Sequence, residues 1–262
     1  MDLGLGRKIS IVTGASRGIG RECAMELAKE GSAVLITARN EALLSETVDQ
    51  IKEEGGNADF VSADLSSQDG CRKVVDACID KFGSVDVLVN CAGAAKGGDI
   101  LELDVALISD ALALKSYGYL RLAQMVIPYM KEKKWGRIVN VAGGAGASPT
   151  RGNIPTSLAN ITILNMTRAI SDAVAREGIL VNTVCPGMTN TQRARDIYEP
   201  RAKNEGRDVE EILSELGSSL PAGRICEPEE VGSVVAFLAS EKCSYVFGSS
   251  VYMDGGARRS TP

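Results

Sequence analysis

The segment Thr13–Gly20, with the sequence TGASRGIG, constrains the fold of this 262-residue chain more than any other. It follows the apolar run Ile9–Val12 and opens a stretch in which Ile19, Cys23 and Leu27 recur every fourth position. A strand, a glycine-rich turn and a helix in this order are typical of a nucleotide-binding corner. The alternative interpretation is an ordinary glycine-rich turn.

The three glycines of this segment have separate expected roles. Gly14 allows a tight turn, Gly18 lets the backbone approach a pyrophosphate, and Gly20 permits close packing of helix on strand. The phosphates would lie against free N–H groups at the helix N-terminus, where the helix dipole favours negative charge. We expect the rest of the loop to join this binding site, namely Ser16, Arg17 and Ile19.

Composition and charge argue against several other classes of protein. A hydrophobic fraction of 44% and a charged fraction of 24% are typical of a soluble globular protein. The net charge of −5 does not favour nucleic-acid binding, and no apolar run is long enough to span a bilayer. The N-terminal residues lead into the first strand without the apolar segment of a signal peptide, so we expect a cytoplasmic protein.

Histidine is absent, and none of the seven cysteines shows C-x-x-C spacing. A metal site or a histidine-based triad is therefore not expected. Several cysteines occupy core-patterned positions, which indicates reduced structural thiols.

Short, β-branched apolar runs alternate with helix-patterned segments along the chain. Such runs are typical of parallel strands buried on both faces. The alternation predicts an α/β fold, a single-domain Rossmann-type doubly wound seven-stranded parallel sheet that covers residues 1–262. The strand-like runs fall near residues 9–12, 33–37, 59–62, 86–90, 137–141, 180–185 and 250–253.

A mixed-charge stretch, residues 191–222, interrupts this rhythm before the last predicted helix. It is mostly compatible with helices and follows the sixth strand, at whose carboxyl end ligands bind in sheets of this kind. We expect a helical lid over the site, although a solvated pair of surface helices would show the same pattern.

Two other helix-patterned segments each carry an apolar stripe. The first stripe consists of Val74, Val75, Cys78, Ile79 and Phe82, and the second, which follows Pro228, consists of Val231, Val234, Val235 and Leu238.

The residues after the second strand indicate which dinucleotide is bound. NAD sites place an acid there, whereas this chain has Ala38 followed by Arg39, with Arg17 in the glycine loop. Two guanidinium groups near one ribose suit the 2′-phosphate of NADP, through charge-assisted hydrogen bonds. The alternative is that Arg39 is a solvated surface arginine.

Four further motifs appear in order along the chain: Ala63–Leu65, Asn90–Gly93, Pro186–Thr191 and Met253–Gly256. Together with the glycine loop they resemble the classical short-chain dehydrogenase/reductase family over essentially the whole chain. The resemblance implies that Asp64 meets the adenine, that Asn90 and Gly93 line the cofactor groove, and that Thr191 holds the nicotinamide carboxamide. It places four neighbours in the same site, namely Leu65, Ala92, Pro186 and Gly187.

The family uses Asn, Ser, Tyr and Lys for its chemistry, and the same resemblance places other residues at those positions. Lys115 stands for Asn, Gly143 for Ser, Thr156 for Tyr and Asn160 for Lys. Hydride transfer to a carbonyl develops negative charge on oxygen, which needs a donor and a proton, and a threonine hydroxyl is too weak an acid to replace a phenol. Either the acid has moved or the activity was lost.

Lys115 is the candidate for a relocated acid, and Thr156 for a second hydrogen-bond donor. The alternatives are a solvated or interface lysine and a first-turn residue of the helix that follows Pro155. We predict an NADP(H)-dependent oxidoreductase that interconverts a carbonyl and a secondary alcohol with a non-standard active site. Two other functions are open: a cofactor-binding but inactive subunit beside an active homologue, and a non-redox lyase or isomerase. The expected partners are a small-molecule substrate and, by resemblance, further copies of the chain in a dimer or tetramer.

Overall fold

The computed structural model describes residues 2–93, 95 and 97–259. Its described residues form a seven-stranded sheet with every neighbouring pair parallel, in the order β3-β2-β1-β4-β5-β6-β7. This confirms the predicted fold class, and each predicted run forms a strand. The strands are β1 Ile9–Thr13, β2 Ala33–Ala38, β3 Asn57–Ser62, β4 Val87–Asn90, β5 Gly136–Val141, β6 Ile179–Pro186 and β7 Ser250–Met253.

Helices cover both faces of the sheet. One core lies between the sheet and α1, α2 and α9, and a second lies between the opposite face and α3 and α5. Among the described residues, no helix is both long and apolar enough to cross a membrane. The helices are α1 Gly18–Lys29, α2 Glu41–Glu53, α3 Gln68–Phe82, α4 Ala106–Ala111, α5 Gly118–Lys133, α6 Ile154–Val174, α7 Gln192–Glu205, α8 Val209–Ser218 and α9 Pro228–Ala239.

The helical stripes expected from the sequence face these cores. In α3, Val74 and Cys78 are fully buried, Ser67 caps the first turn, and Gly83 ends the helix in the left-handed conformation. Such caps satisfy backbone groups that a helix end leaves unpaired, so local sequence defines where α3 begins and ends. Helix α9 starts at Pro228, as expected, since proline tolerates the first turn of a helix.

A π-helical turn, Leu112–Tyr117, joins α4 to α5. Such turns widen the helix locally and occur often at functional sites. Lys115 lies in this turn. No sequence pattern predicted it.

The predicted lid consists of α7 and α8, joined by a short turn. Thr191 caps α7 and Asp208 caps α8, each through a side-chain oxygen that accepts a backbone N–H. Surface ion pairs join the two helices, because Arg195 bonds Glu210 and Arg201 bonds Glu215. The charged residues of this stretch therefore stabilise the helix pair, and its first residues line the groove described next.

Candidate functional site

A groove of about 440 Å³ lies at the carboxyl edge of the sheet, beside β1 and β4. The chain continues from these adjacent strands to opposite sides, which is where doubly wound sheets bind ligands. Most residues predicted to bind the cofactor line this groove. They are Gly14, Ser16, Arg17, Gly18, Ile19, Gly20, Arg39, Asp64, Leu65, Ala92, Gly93 and Thr191.

Three predicted groove residues do not line it. Asn90 is fully buried at the end of β4, where its Nδ2 donates to Asn140 Oδ1 at 2.9 Å. Pro186 ends β6 and is buried, and Gly187 packs so closely that a Cβ there would lie 2.9 Å from Asp254 Cα. These three residues lie behind the residues that line the groove.

The glycine loop has the geometry that its sequence predicts. Gly14 and Gly18 have positive φ values of 67° and 57°, which residues with a side chain adopt only at a cost. A Cβ at Gly20 would lie 2.3 Å from the Gly14 carbonyl oxygen, so no larger residue fits there without moving the turn. The loop thus brings the N-terminus of α1 directly onto the end of β1.

The N-terminus of α1 faces the groove without a side-chain cap. Its N-cap residue, Arg17, makes no capping hydrogen bond, whereas Asn40 caps α2 with its own side chain. The free N–H groups of the first turn and the helix dipole therefore favour an anion at this end. Arg17 and Arg39 are both exposed on the groove wall, and Arg39 is the first residue after β2.

Asp64 supplies the acidic group on this wall. Its Oδ1 accepts a hydrogen bond from the Ser66 backbone N–H at 3.0 Å. Hydrogen bonds from Ser66 hold the pKa of Asp64 below its usual range, and the charge of Arg39 lowers it further. The carboxylate is therefore ionised at neutral pH and is available as a hydrogen-bond acceptor.

Lys115 lies beside the lining residue Gly93, at what we call the inner end of the groove, and contacts α6. Neither Lys115 nor Thr156 is itself among the lining residues. Lys115 Nζ donates to Asn160 Oδ1 at 2.7 Å, which brings together two positions 45 residues apart. Its methylene chain passes over Gly93, where a Cβ would lie 2.8 Å from Lys115 Cε. A Cβ at position 93 would therefore require the Lys115 side chain to shift.

The environment of Lys115 makes its amine less basic than that of an ordinary lysine. Burial lowers the pKa of Lys115 to about 8, and the positive charge of Arg193 acts in the same direction, while Cys91 and Cys185 oppose the shift. An amine with a pKa near 8 holds a proton at neutral pH and can release it there. This is the protonation behaviour that a general acid requires.

Thr156 lies in the first turn of α6, directly after Pro155. Its side chain is half-buried, and Ser157 beside it is buried. The two tyrosine side chains near this region differ in burial. Tyr119 is buried and donates to the carbonyl oxygens of Ala92 and Val141, so it supports the core, whereas Tyr117 is exposed.

Arg193 is a site residue that the sequence reasoning did not predict. It lines the groove from α7, and its Nη2 donates to the Ala95 carbonyl oxygen at 3.1 Å, which ties the lid to the loop after β4. Its position two residues after Thr191 is the signal that could have identified it. The other lining residues missed are Ala38, Asn40, Leu43, Ala63, Cys91, Leu114 and Gln192.

The seven cysteines, all within the described residues, form no disulfide bond. All seven are free thiols, and five of them are buried. Burial raises the pKa of the Cys91 thiol and of the Cys185 thiol to about 12. The described residues contain no cluster of histidine, cysteine or acidic side chains that could hold a metal ion.

A family model and curated relatives match this chain over nearly its whole length. Residues 14–258 match a family model described as enoyl-(acyl carrier protein) reductase. The chain is 31% identical to a 3-oxoacyl-(acyl-carrier-protein) reductase of Vibrio cholerae over 249 residues, which is 95% of this chain and 96% of that protein.

Solved structures share the fold over the full chain. L-sorbose reductase from Gluconobacter frateurii, complexed with NADPH and L-sorbose, superimposes with a TM-score of 0.96 at 28% identity and covers 100% of both chains. A variant of actinorhodin polyketide ketoreductase with NADPH gives a TM-score of 0.92 at 33% identity, covering 97% of this chain and 98% of that one.

Proposed function

This chain belongs to the short-chain dehydrogenase/reductase family, and we propose that it is an NADPH-dependent reductase of a carbonyl group with a relocated proton donor. The family supports the general class, an oxidoreductase. The observation that carries the finer proposal is the Lys115 amine, held 2.7 Å from Asn160 Oδ1 beside Gly93.

The groove fits NADPH on its own geometry. A Cβ at Gly14 or Gly20 would collide with the backbone of Ala92 or Gly14, so the loop stays tight. The uncapped N-terminus of α1 offers N–H groups to a pyrophosphate. Arg17 and Arg39 supply two cations for a 2′-phosphate. When bound, the dinucleotide supplies a hydride to the substrate carbonyl.

Lys115 would supply the proton that the product alcohol needs. Its ammonium form donates to Asn160 Oδ1 and carries a positive charge that favours negative charge on a nearby oxygen. Thr156, in the first turn of α6, would add a hydrogen bond to that oxygen. Together they would take over the roles that the resemblance assigns to Tyr and Lys at the positions of Thr156 and Asn160.

Cofactor titration followed by turnover assays tests this proposal. Purified protein is titrated with NADPH and with NADH, and binding is followed by cofactor fluorescence. The protein's own tryptophan is a poor probe, because Trp135 precedes β5 and so lies at the opposite edge of the sheet from the groove. A panel of aldehydes, ketones and 3-oxoacyl thioesters is then added to the NADPH complex.

We expect tight NADPH binding and oxidation of NADPH by at least one carbonyl class. Tight binding without turnover, also when the panel is extended to sugars and cyclic polyketones, would favour the inactive-subunit alternative. Failure to bind either dinucleotide would contradict the proposal altogether.

We further propose that the chain forms a homo-oligomer. Tyr117, Leu158 and Ile161 expose apolar surface on the π-helical turn and on α6, with side chains that are 53%, 41% and 44% exposed. Such exposed apolar side chains on neighbouring helices are typical of an interface. Light scattering on the purified protein measures the assembly, and a monomer at micromolar concentration would contradict it.

A further inference from the structure

Asn160 contacts more than Lys115. The residue is buried on α6, and its Nδ2 occupies the space next to Gly143, where a Cβ would come within 2.9 Å of it. Gly146 packs against the other side, since a Cβ there would lie 3.0 Å from Asn160 Cβ. The amide is therefore held between the turn after β5 and the lysine of the opposite helix.

We propose that Gly143 and Asn160 are positioning residues for Lys115. The absence of a side chain at Gly143 seats the Asn160 amide, and the amide oxygen in turn holds the Lys115 amine over Gly93. The inference deepens the proposed function and rests on it in one respect, the proton that Lys115 donates to product.

Three of the four unusual positions thus form one physical unit. A lysine reaching across from the π-helical turn needs room at Gly93 and an acceptor on α6, and Asn160 provides that acceptor. The Cβ of a serine at position 143 would lie 2.9 Å from Asn160 Nδ2, so the amide that makes the contact would have to move. Restoring the serine that the resemblance implies is therefore expected to disrupt this site instead of repairing it.

The titratable and charged groups that face Lys115 come from three other elements. Cys91 follows β4, Cys185 lies in β6, and Arg193 lies on α7. The two thiols are neutral at neutral pH because burial raises both of their pKa values, so Arg193 is the charged neighbour. Asn160 adds a neutral acceptor, and exchanging it for a carboxylate would introduce an opposite charge with no change in size.

The Asn160→Asp variant should therefore raise the pKa of the Lys115 amine. An opposite charge within hydrogen-bond distance favours the protonated amine and raises the pKa of a lysine by roughly 1–3 pH units. If Asn160 does not hold Lys115, the aspartate will leave the pKa of the Lys115 amine unchanged.

Nuclear magnetic resonance of lysine-labelled protein measures this directly. Full-length protein carrying ¹³C at the lysine ε-carbon is titrated with base, and the Lys115 signal is identified by its loss in Lys115→Arg. We expect a midpoint near pH 8 in the native protein, a midpoint at least one pH unit higher in Asn160→Asp, and a displaced signal in Gly143→Ser.

Gly144→Ser is the matched control. It adds the same atoms one residue further on, where a Cβ meets nothing within 4 Å. An unchanged midpoint in Asn160→Asp, or the same Lys115 signal in Gly143→Ser as in Gly144→Ser, would overturn the proposal. Thermal unfolding of each variant identifies any loss of fold. If Gly143→Ser does not fold, the isosteric Asn160→Asp variant alone tests the proposal.

The pH dependence of turnover tests whether the contact between Lys115 and Asn160 takes part in the reaction. A reductase whose donor is Lys115 loses kcat as pH rises through the pKa of that amine, because the protonated form is then depleted. In Asn160→Asp this alkaline limb should move to higher pH together with the measured midpoint. Since the resonance experiment needs no turnover, it can fail or succeed independently of the reductase proposal.

Discussion

The two ends of the groove are built from different parts of the protein. The phosphate-binding end consists mainly of backbone, with the positive φ of Gly14 and Gly18 and the open N-terminus of α1. The inner end consists of side chains from separate elements, where Lys115 from the π-helical turn meets Asn160 from α6. A backbone site tolerates few substitutions, whereas a site made of side chains can exchange one donor for another.

The two ends therefore place different demands on the sequence. Binding at the first end requires that no Cβ be present, which only one residue type satisfies. Proton donation at the second end requires a group of suitable pKa at the right place, and several residue types can meet that requirement.

Lys115→Met should produce the largest loss. Removing the proton donor lowers kcat by roughly 10²–10⁴-fold, while NADPH binding at the other end stays close to native. Steady-state kinetics and cofactor titration measure the two effects separately. Lys203→Met is the control, because that lysine side chain is 73% exposed on α7. Full activity in Lys115→Met would show that Lys115 is not the acid.

Gly20→Ala should damage the phosphate-binding end. The added Cβ would lie 2.3 Å from the Gly14 carbonyl oxygen, so the turn must move. We expect the free energy of unfolding to fall by roughly 1–3 kcal/mol and NADPH affinity to fall with it. Denaturant unfolding and cofactor titration check this, with Gly6→Ala as the control, because a Cβ at Gly6 meets nothing within 4 Å. A native NADPH affinity in Gly20→Ala would show that the geometry of the glycine turn does not determine cofactor binding.

Arg39→Asp should change cofactor preference without touching the inner end. Loss of a charge-assisted hydrogen bond to the 2′-phosphate costs about 1.5–3 kcal/mol, or roughly 10–150-fold in the NADPH dissociation constant. NADH, which lacks that phosphate, serves as the internal control. Equal effects on both dinucleotides, or none on NADPH, would return Arg39 to the role of a surface arginine.

Thr156→Val should have the smallest effect. One neutral hydrogen bond to the substrate oxygen contributes about 0.5–1.5 kcal/mol, so kcat should fall by roughly 2–12-fold. The size and shape of the side chain are kept, and NADPH affinity should not change. A rate equal to that of the native protein would leave Thr156 as a first-turn residue of α6 with no part in the reaction.

The fold and the binding end were predictable because their signals are local. Buried parallel strands are short apolar runs, and the helix stripes of α3 and α9 repeat at the helical period. The glycine loop carries its own conformational requirement at Gly14, Gly18 and Gly20. Each of these patterns lies within a few residues, so neighbouring sequence is enough to recognise it.

The position of individual side chains at the groove depends on more than local motifs. Asn90 was expected on the groove wall, but the structure buries it beneath the wall and bonds it to Asn140. Conversely, Arg193 lines the groove although no motif includes it. Which side of a strand end or loop faces a cavity depends on packing partners far away in the chain.

Local sequence was sufficient for the order of strands and helices, the glycine cradle and the position of Arg39 after β2, since periodicity and backbone conformation depend on near neighbours. The tertiary structure alone brought Lys115 and Asn160 to 2.7 Å and aligned Gly93 and Gly143 with them. These four residues lie on four separate segments, and their meeting depends on how helices pack over the sheet. Periodicity carries no information about such a contact, because packing joins residues that are 45 positions apart.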